Sequence, residues 1–112
     1  MDGMSSVSMR PRMQIEDFLE VGAAAVGISV VDLGSRKRGT PIVEAREILA
    51  WLGVELYGLS VRGIAEGLDK HLETASRLVS RAAERRAEDE SFAAKVQRVD
   101  EAIISSKKEN VE

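Results

Sequence analysis

The chain has no cysteine among its 112 residues, one histidine and only 4% aromatic residues. Without cysteine, disulfides, thiolate zinc sites and thiol catalysis are excluded. No apolar run approaches the ~18 residues that span a bilayer, so we expect a cytoplasmic protein with no membrane partner. With few aromatic residues the core must be built from Ala, Val, Leu and Ile, which is common in small helical domains and predicts an all-α fold.

The excess of acidic residues is confined to the C-terminal segment. The formal net charge is −3, but cations and anions balance at five each in residues 1–41 and at seven each in residues 42–87. Residues 88–112 carry four cations against seven anions. Net charge therefore does not argue against a basic face that binds nucleic acid.

Signals for catalysis are also missing. His71 is the single histidine, and a metal site needs three or four converging ligands. No Gly-x-x-x-x-Gly-Lys-Ser/Thr string is present to hold phosphates. Glu44 and Glu47, spaced i and i+3, are interpreted as part of a solvated face. We therefore predict no enzymatic activity, no metal, no cofactor and no small-molecule substrate.

The first thirteen residues contain all four methionines among Ser, Gly, Arg and Pro. This composition predicts a disordered leader over residues 1–13, or a set of alternative starts. One domain is expected over residues 14–106, followed by a frayed tail over residues 107–112.

Apolar spacing and punctuation predict a series of helices. A helix from Gln14 should end at Gly27, and Ser29 should cap a single turn, Val30 to Leu33, that stops at Gly34. Thr40 is the expected cap of a long helix with Pro41 at its first position and Gly58 near its end. Ser60 should cap a short helix, Val61 to Leu68. A further helix is expected from about residue 72 to 87, and Ser91 should cap a last helix that carries Phe92, Val96, Val99 and Ile103 on one face.

The stretch "SVRGIAEGLDKHLETASRLVSR", residues 60–81, has the spacing of a helix-turn-helix. Its crossing positions, at offsets 0, 1, 4, 11 and 14, are filled by Ile64, Ala65, Leu68, Ala75 and Leu78. Asp69 stands where many such motifs have glycine, and Asp is among the next best residues for a left-handed turn.

The second helix of this motif is rich in side chains that suit DNA. Arg77, Arg81 and Arg85, at i, i+4 and i+8, are expected on one face, and Glu73 is a base contact or a helix cap. The loop "SRKRG", residues 35–39 and here called the basic loop, adds three consecutive cations. The candidate DNA-binding residues are Arg36, Lys37, Arg38, Ser60, Lys70, Thr74, Ser76, Arg77, Ser80 and Arg81.

The residues also allow an alternative without DNA. In a plain helical hairpin Arg77 would pair with Glu73 and Arg81 with Glu84 on a solvated face, and the basic loop would simply be solvated. The chain would then be a small protein-interaction module, with the segment from Phe92 to Ile103 packed on a partner, on a second copy or on its own core.

The order of elements adds a resemblance to a known family. The stretch "IEDFLEVGAAAVGISVVDLGSRKRGTPIVEAREILAWLGVELYGLSVRGIAEGL" resembles the C-terminal DNA-binding domain of the bacterial replication initiator DnaA, with "SRKRG" and "AREILAWLGVELYGLSVRGIAEGL" its most specific parts. In place of that family's Gly-Gly-Arg-Asp-His-Thr-Thr-Val signature the chain has "DKHLETASR". The remainder, from "ETASRLVSR", is similar to the C-terminal domain of REP-associated tyrosine transposases.

This resemblance implies a Trp-repressor-like helix-turn-helix that binds double-stranded DNA sequence-specifically, in replication initiation or transposition, at the bacterial nucleoid. It implies recognition-helix contacts from Thr74, Ser76, Arg77 and Arg81, and basic-loop contacts from Arg36 to Arg38. Regulatory proteins bind the same fold in such domains, so a regulator is a second expected partner. The transposase's histidine pair is absent, and the one tyrosine, Tyr57, lies on an apolar helix.

Overall fold

The computed structural model describes residues 10–111, and describes side chains through residue 106. Within this range the chain is all-α, as predicted, with six helices and no strand. They are α1 (Ile15–Val26), α2 (Val30–Leu33), α3 (Thr40–Glu55), α4 (Val61–Gly67), α5 (Leu72–Glu88) and α6 (Glu90–Val111). Most of the expected leader, residues 1–9, and the last residue of the expected tail lie outside this range.

Most predicted helix ends are confirmed. Gly27 closes α1 in a left-handed conformation with φ 75°. The hydroxyl oxygens of Ser29 and Ser60 accept hydrogen bonds from the backbone N–H groups of Asp32 and Gly63, which caps α2 and α4. Asp69 has φ 55°, so the polar break contains the left-handed turn that its sequence indicates.

Two predicted caps are wrong. Gly39 is the N-cap of α3, so Thr40 is already inside the helix and makes no capping bond, while Pro41 stands in the first turn. Before α6 the carboxylate of Asp89 accepts from the backbone N–H groups of Ser91 and Phe92. Asp89 lies two residues ahead of Ser91 and adds a negative charge at the positive end of the helix, so it caps α6 in place of Ser91.

Helix α3 lies at the centre of the domain. It contacts α1, α2, α4, α5 and α6, and every residue from Ala45 to Gly53 is buried. A Cβ on Gly53 would lie 2.8 Å from the side chain of Ile64 and 3.2 Å from the ring of Phe18. The glycine therefore allows α4 and α1 to approach α3 closely, and the crossing positions Ile64, Ala65, Leu68, Ala75 and Leu78 are all buried.

The last helix completes this core. Phe92, Val96, Val99 and Ile103 are buried, and α6 packs on α1, α3 and α5. Of the alternatives left open for this face, a partner, a second copy or the chain's own core, the structure shows the last, because the domain's own helices cover it. Helix α6 continues to Val111, past the expected boundary at residue 106.

The end of the expected leader also belongs to the domain. The guanidinium of Arg10 lies 2.7 Å from the carboxylate of Asp100, and Met13 packs against the core. Disorder through residue 13 is therefore wrong for residues 10–13, because Arg10 pairs with a buried carboxylate on α6.

None of the helices in residues 10–111 is both long and apolar enough to cross a membrane.

Candidate nucleic-acid interface

An open groove, here called the basic groove, runs between the loop after α2 and the first half of α5. The loop contributes Arg36 and Arg38, and the turn before α5 contributes Lys70. Helix α5 adds Thr74, Arg77 and Arg81 to the opposite wall. The structure thus brings together six of the ten predicted site residues, from segments more than thirty residues apart in sequence.

Four guanidinium groups in the basic groove are available to a ligand. Arg36, Arg38, Arg77 and Arg81 are exposed, and within residues 10–106 none of them forms an ion pair with an acidic side chain. The pairs Arg77–Glu73 and Arg81–Glu84, expected for a plain helical hairpin, are therefore not formed. A guanidinium group that is not bonded to a carboxylate of the protein can donate two hydrogen bonds to a phosphate or to the edge of a guanine.

A buried arginine on α3 holds the basic loop in place, and none of the sequence-based predictions identified it. Arg46, on α3, is only 5% exposed. Its Nε donates to the carbonyl of Leu33 at 2.8 Å and its Nη1 to that of Lys37 at 2.8 Å. Its Nη2 donates to the carbonyls of Asp32 and Ser35 at 3.1 and 2.8 Å. Burial, with a smaller effect from the charge of Arg38, lowers the pKa of Arg46.

A second cation ties the loop to the turn before α5. The Nζ of Lys70 donates to the carbonyl of Ser35 at 2.6 Å. Burial lowers the pKa of Lys70, the charges of Arg46 and Arg36 lower it further, and the charge of Asp69 opposes them. Lys70 lines the groove, but one of its donors is already used by the protein.

The other four predicted site residues lie outside the groove lining. Ser60 uses its hydroxyl to cap α4. Lys37 points away to an exposed ion pair with Asp32, at 3.1 Å. Ser76 and Ser80 are exposed on α5 but do not line the groove.

Arg85 does not continue the arginine face of Arg77 and Arg81. Eight residues at 3.6 per turn place it about 80° around the helix from Arg77, which turns it toward α3. Its guanidinium donates to Glu47 at 2.9 Å and to Glu44 at 3.1 Å, and it lies 4.0 Å from the centre of the Phe92 ring. Burial acts to lower the pKa of Arg85, but the hydrogen bonds to Glu47 and Glu44 outweigh it and raise the pKa.

The interpretation of Glu44 and Glu47 as a solvated face is therefore wrong. Glu47 is only 4% exposed, and Glu44 is half-buried between Arg85 and Lys95, with its carboxylate 3.0 Å from the lysine Nζ. The cluster joins α3, α5 and α6, and Glu47 also lines the inner wall of the basic groove. Its role is structural, because the carboxylates are occupied by cations of the same chain.

A second buried cluster fixes the N-terminal segment. The hydroxyl of Tyr57 donates to Asp100 at 2.6 Å, and Arg10 donates to the other carboxylate oxygen. Burial, then the hydrogen bond to Asp100 and its charge, raises the pKa of Tyr57. In residues 10–106 no group of three His, Asp or Glu side chains is placed to hold a metal ion.

The sequence did contain a signal for Arg46. It stands in the apolar run "AREILAWLGV", where a charged side chain must find several acceptors before it can be buried.

No protein-family model matches this chain, and a search of curated proteins finds no match. The functional conclusion therefore rests on the groove and on the order of elements around it.

Proposed function

We propose that this chain binds double-stranded DNA sequence-specifically, with α4, the turn Leu68–His71 and α5 acting as a helix-turn-helix. One observation carries the proposal: four arginines that form no ion pair with the side chains of residues 10–106 converge, from two separate segments, on one open groove. Helix α5 enters the major groove of DNA, and Arg36 and Arg38 contact phosphates or the adjacent minor groove.

The chemistry of α5 supports this assignment. Arg77 can bind guanine through two hydrogen bonds, and Thr74 offers a short hydroxyl for a base or a phosphate. Ser76 and Ser80, exposed beside the groove, add phosphate donors on the flank of the same helix. Glu73, exposed in the first turn, can accept from a cytosine amino group.

The order of elements supports a relationship to the DnaA C-terminal domain and its Trp-repressor-like fold. A one-turn helix, a basic loop, a long helix, a short helix and an arginine-rich helix follow one another as the resemblance implies. On this basis we propose a binding role in bacterial replication initiation or transposition, at the nucleoid, with a regulatory protein as a further partner.

The test is fluorescence anisotropy with a randomised labelled duplex at several salt concentrations. On a randomised duplex, where no guanine is selected, Arg36, Arg38, Arg77 and Arg81 should contact one phosphate each, which predicts a log–log slope of about −3.6. Binding with that slope would justify selecting the preferred site from a random library. No binding at low salt by protein whose circular dichroism shows it folded would reject the proposal.

A second candidate function is a protein-interaction module. It is favoured by exposed apolar side chains next to the basic loop: Val31 is 79% exposed and Val30 42%. Replacing Val31 with Asp should leave DNA affinity nearly unchanged if the basic groove is the functional site. A chain that binds no DNA would leave this second function as the working proposal.

A further inference from the structure

Two cations that line the basic groove donate hydrogen bonds to backbone carbonyls of the protein itself. Arg46 bonds to four carbonyls spread over residues 32–37, and Lys70 bonds to one of the same carbonyls, that of Ser35. The exposed cations Arg36 and Arg38 lie within or directly beside the stretch that these bonds hold.

We propose that Arg46 is the positioning residue of the basic loop: its buried guanidinium fixes residues 32–37 so that Arg36 and Arg38 face α5 across the basic groove. The inference rests on the proposed DNA-binding function and assigns Arg46 a role in it. Arg46 itself does not contact DNA in this arrangement.

The geometry requires a planar group with several donors. The four carbonyls belong to residues as far apart as Asp32 and Lys37, yet all lie within 3.1 Å of one guanidinium. The backbone must therefore curl around that group. Local bonds within the stretch add to this hold: the Ser35 hydroxyl donates to the carbonyl of Asp32 and accepts from the N–H of Lys37, and the Nζ of Lys37 lies 3.1 Å from the carboxylate of Asp32.

Without the guanidinium, the carbonyls of Leu33 and Lys37 would have to find water, while those of Asp32 and Ser35 would keep the Ser35 hydroxyl and Lys70 as donors. The loop would open to let water reach the two freed carbonyls. DNA would then have to order the loop and the side chains of Arg36 and Arg38 on binding, which weakens affinity. A lysine at position 46 keeps the charge but offers three donors from a single atom, and so cannot span the same acceptors.

A direct phosphate contact by Arg46 is the competing explanation. It is disfavoured because the side chain is 5% exposed and each of its three nitrogens already donates to a carbonyl. The two explanations differ in their response to lysine. A phosphate contact tolerates Arg46→Lys, whereas a positioning residue does not.

The experiment compares Arg46→Lys and Arg46→Met with a matched control, Arg98→Lys, which alters an exposed arginine of α6 outside the basic groove. For each folded variant, backbone amide hydrogen exchange of residues 32–38 is measured by NMR without DNA, and affinity and salt slope are measured by anisotropy. We expect faster exchange and about tenfold weaker binding in both Arg46 variants. Arg98→Lys should retain protected loop amides and nearly wild-type affinity.

A thermodynamic cycle gives a second readout. In a background with Arg36→Ala and Arg38→Ala, Arg46→Lys should weaken binding less than twofold, because the loop it positions no longer carries the contacts. An equal loss in both backgrounds would overturn the inference, as would loop exchange and affinity of Arg46→Lys equal to those of the wild type. Wild-type protein that binds no DNA would instead overturn the proposed function, while the exchange data still decide whether Arg46 holds the loop. If Arg46→Met fails to fold, Arg46→Lys and the cycle carry the test.

Discussion

Arginines in this protein have two distinct roles, and their surroundings separate them. Arg46 and Arg85 donate to carbonyls and carboxylates of their own chain. Arg77 and Arg81 are exposed on α5 and make no ion pair within residues 10–106. A cation that already has its acceptors contributes to the fold, whereas one without them is available to an anionic ligand.

Arg77 should therefore contribute to sequence preference. If it binds a guanine through two hydrogen bonds, Arg77→Ala should cost about 1–3 kcal/mol at the selected site. The loss on a randomised duplex should be smaller. The measurement is a pair of anisotropy titrations, one with each duplex.

Arg98→Ala is the matched control, since Arg98 is an exposed arginine on α6 beside Ile48 and Val99, outside the basic groove. It should leave both titrations nearly unchanged. If Arg77→Ala weakens both duplexes equally, Arg77 is a phosphate contact only; if Arg98→Ala does the same, the groove assignment is wrong.

Tyr57 gives a prediction about alkaline stability. Its pKa is raised in the folded protein by burial and by Asp100, above the value of about 10 for an exposed phenol. The stabilisation that this shift represents is complete below pH ~10 and is lost as the pH rises through the folded pKa. Above pH ~10 the wild type should thus lose up to ~1.4 kcal/mol per pH unit more than Tyr57→Phe.

Urea unfolding of both proteins from pH 8 to about 11 measures this difference. Tyr57 is the only tyrosine in the chain, so phenolate absorbance provides an independent readout of the same group. Equal pH dependence in the two proteins, with early ionisation of the phenol, would show that Tyr57 is not protected as described.

At the scale of elements, α3 links the core to the site. Its apolar residues pack against α1 and α4, while Arg46 reaches the basic loop and Glu47 bonds to Arg85 on α5. The two walls of the basic groove are thus attached to one helix. The distance between the two walls is therefore set mainly by the packing of α3, and direct contacts between the walls do not determine it by themselves.

Substitutions of Arg85 and Arg81 should separate stability from binding. Arg85→Met leaves the buried Glu47 without its partner and should lower the free energy of unfolding by about 1–3 kcal/mol. Arg81→Met, on the same helix, removes no ion pair with residues 10–106 and should change this free energy by less than ~0.5 kcal/mol. DNA affinity should respond in the opposite order, with a loss for Arg81→Met and little change for Arg85→Met.

Urea unfolding and anisotropy of the two variants, well below their unfolding temperatures, make the comparison. The addition of Glu47→Gln to Arg85→Met should recover part of the lost stability, because the unpaired carboxylate is removed. A stable Arg85→Met protein with lost DNA binding would place Arg85 in the interface and contradict its structural role.

At the scale of the whole molecule, the first and last described segments close the domain together. Helix α6 covers α1, α3 and α5, and Asp100 on α6 receives Arg10 and Tyr57. Between Phe92 and Ile103 the acidic C-terminal segment therefore contributes to the core, although its composition alone resembles a solvated tail.

Removal of residues 88–112 should consequently unfold the remainder. Phe92→Ala is the milder test: the ring is 1% exposed, and its loss should cost about 3–5 kcal/mol. Gln97→Ala, at an exposed position of the same helix, is the control and should be nearly neutral. A truncated chain that keeps its helical circular dichroism and a cooperative melt would show that α6 is an addition to an independent domain.

Local signals predicted the elements well. Gly27, Ser29, Ser60 and Asp69 act through bonds and dihedral angles within three or four residues, so their effects can be read from neighbouring letters. The two wrong caps arose where two residues one or two positions apart compete for the same role, as with Asp89 and Ser91. Periodicity also identified the buried faces of α5 and α6, because burial follows the helical repeat.

The sequence by itself determined the all-α class, most helix ends, the apolar face of each long helix and the candidate loop and helix of the site. Only the tertiary structure decided which charged side chains bond to groups of the protein itself and which remain available to a ligand. Arg46 and Glu47 stand in an apolar run, but Arg85 has no local property that sets it apart from Arg77. What distinguishes the three from Arg38, Arg77 and Glu73 is which distant carbonyls, carboxylates and guanidinium groups lie about 3 Å from them. Ion pairs and buried hydrogen bonds join residues that are far apart in the chain, and no local pattern encodes that proximity.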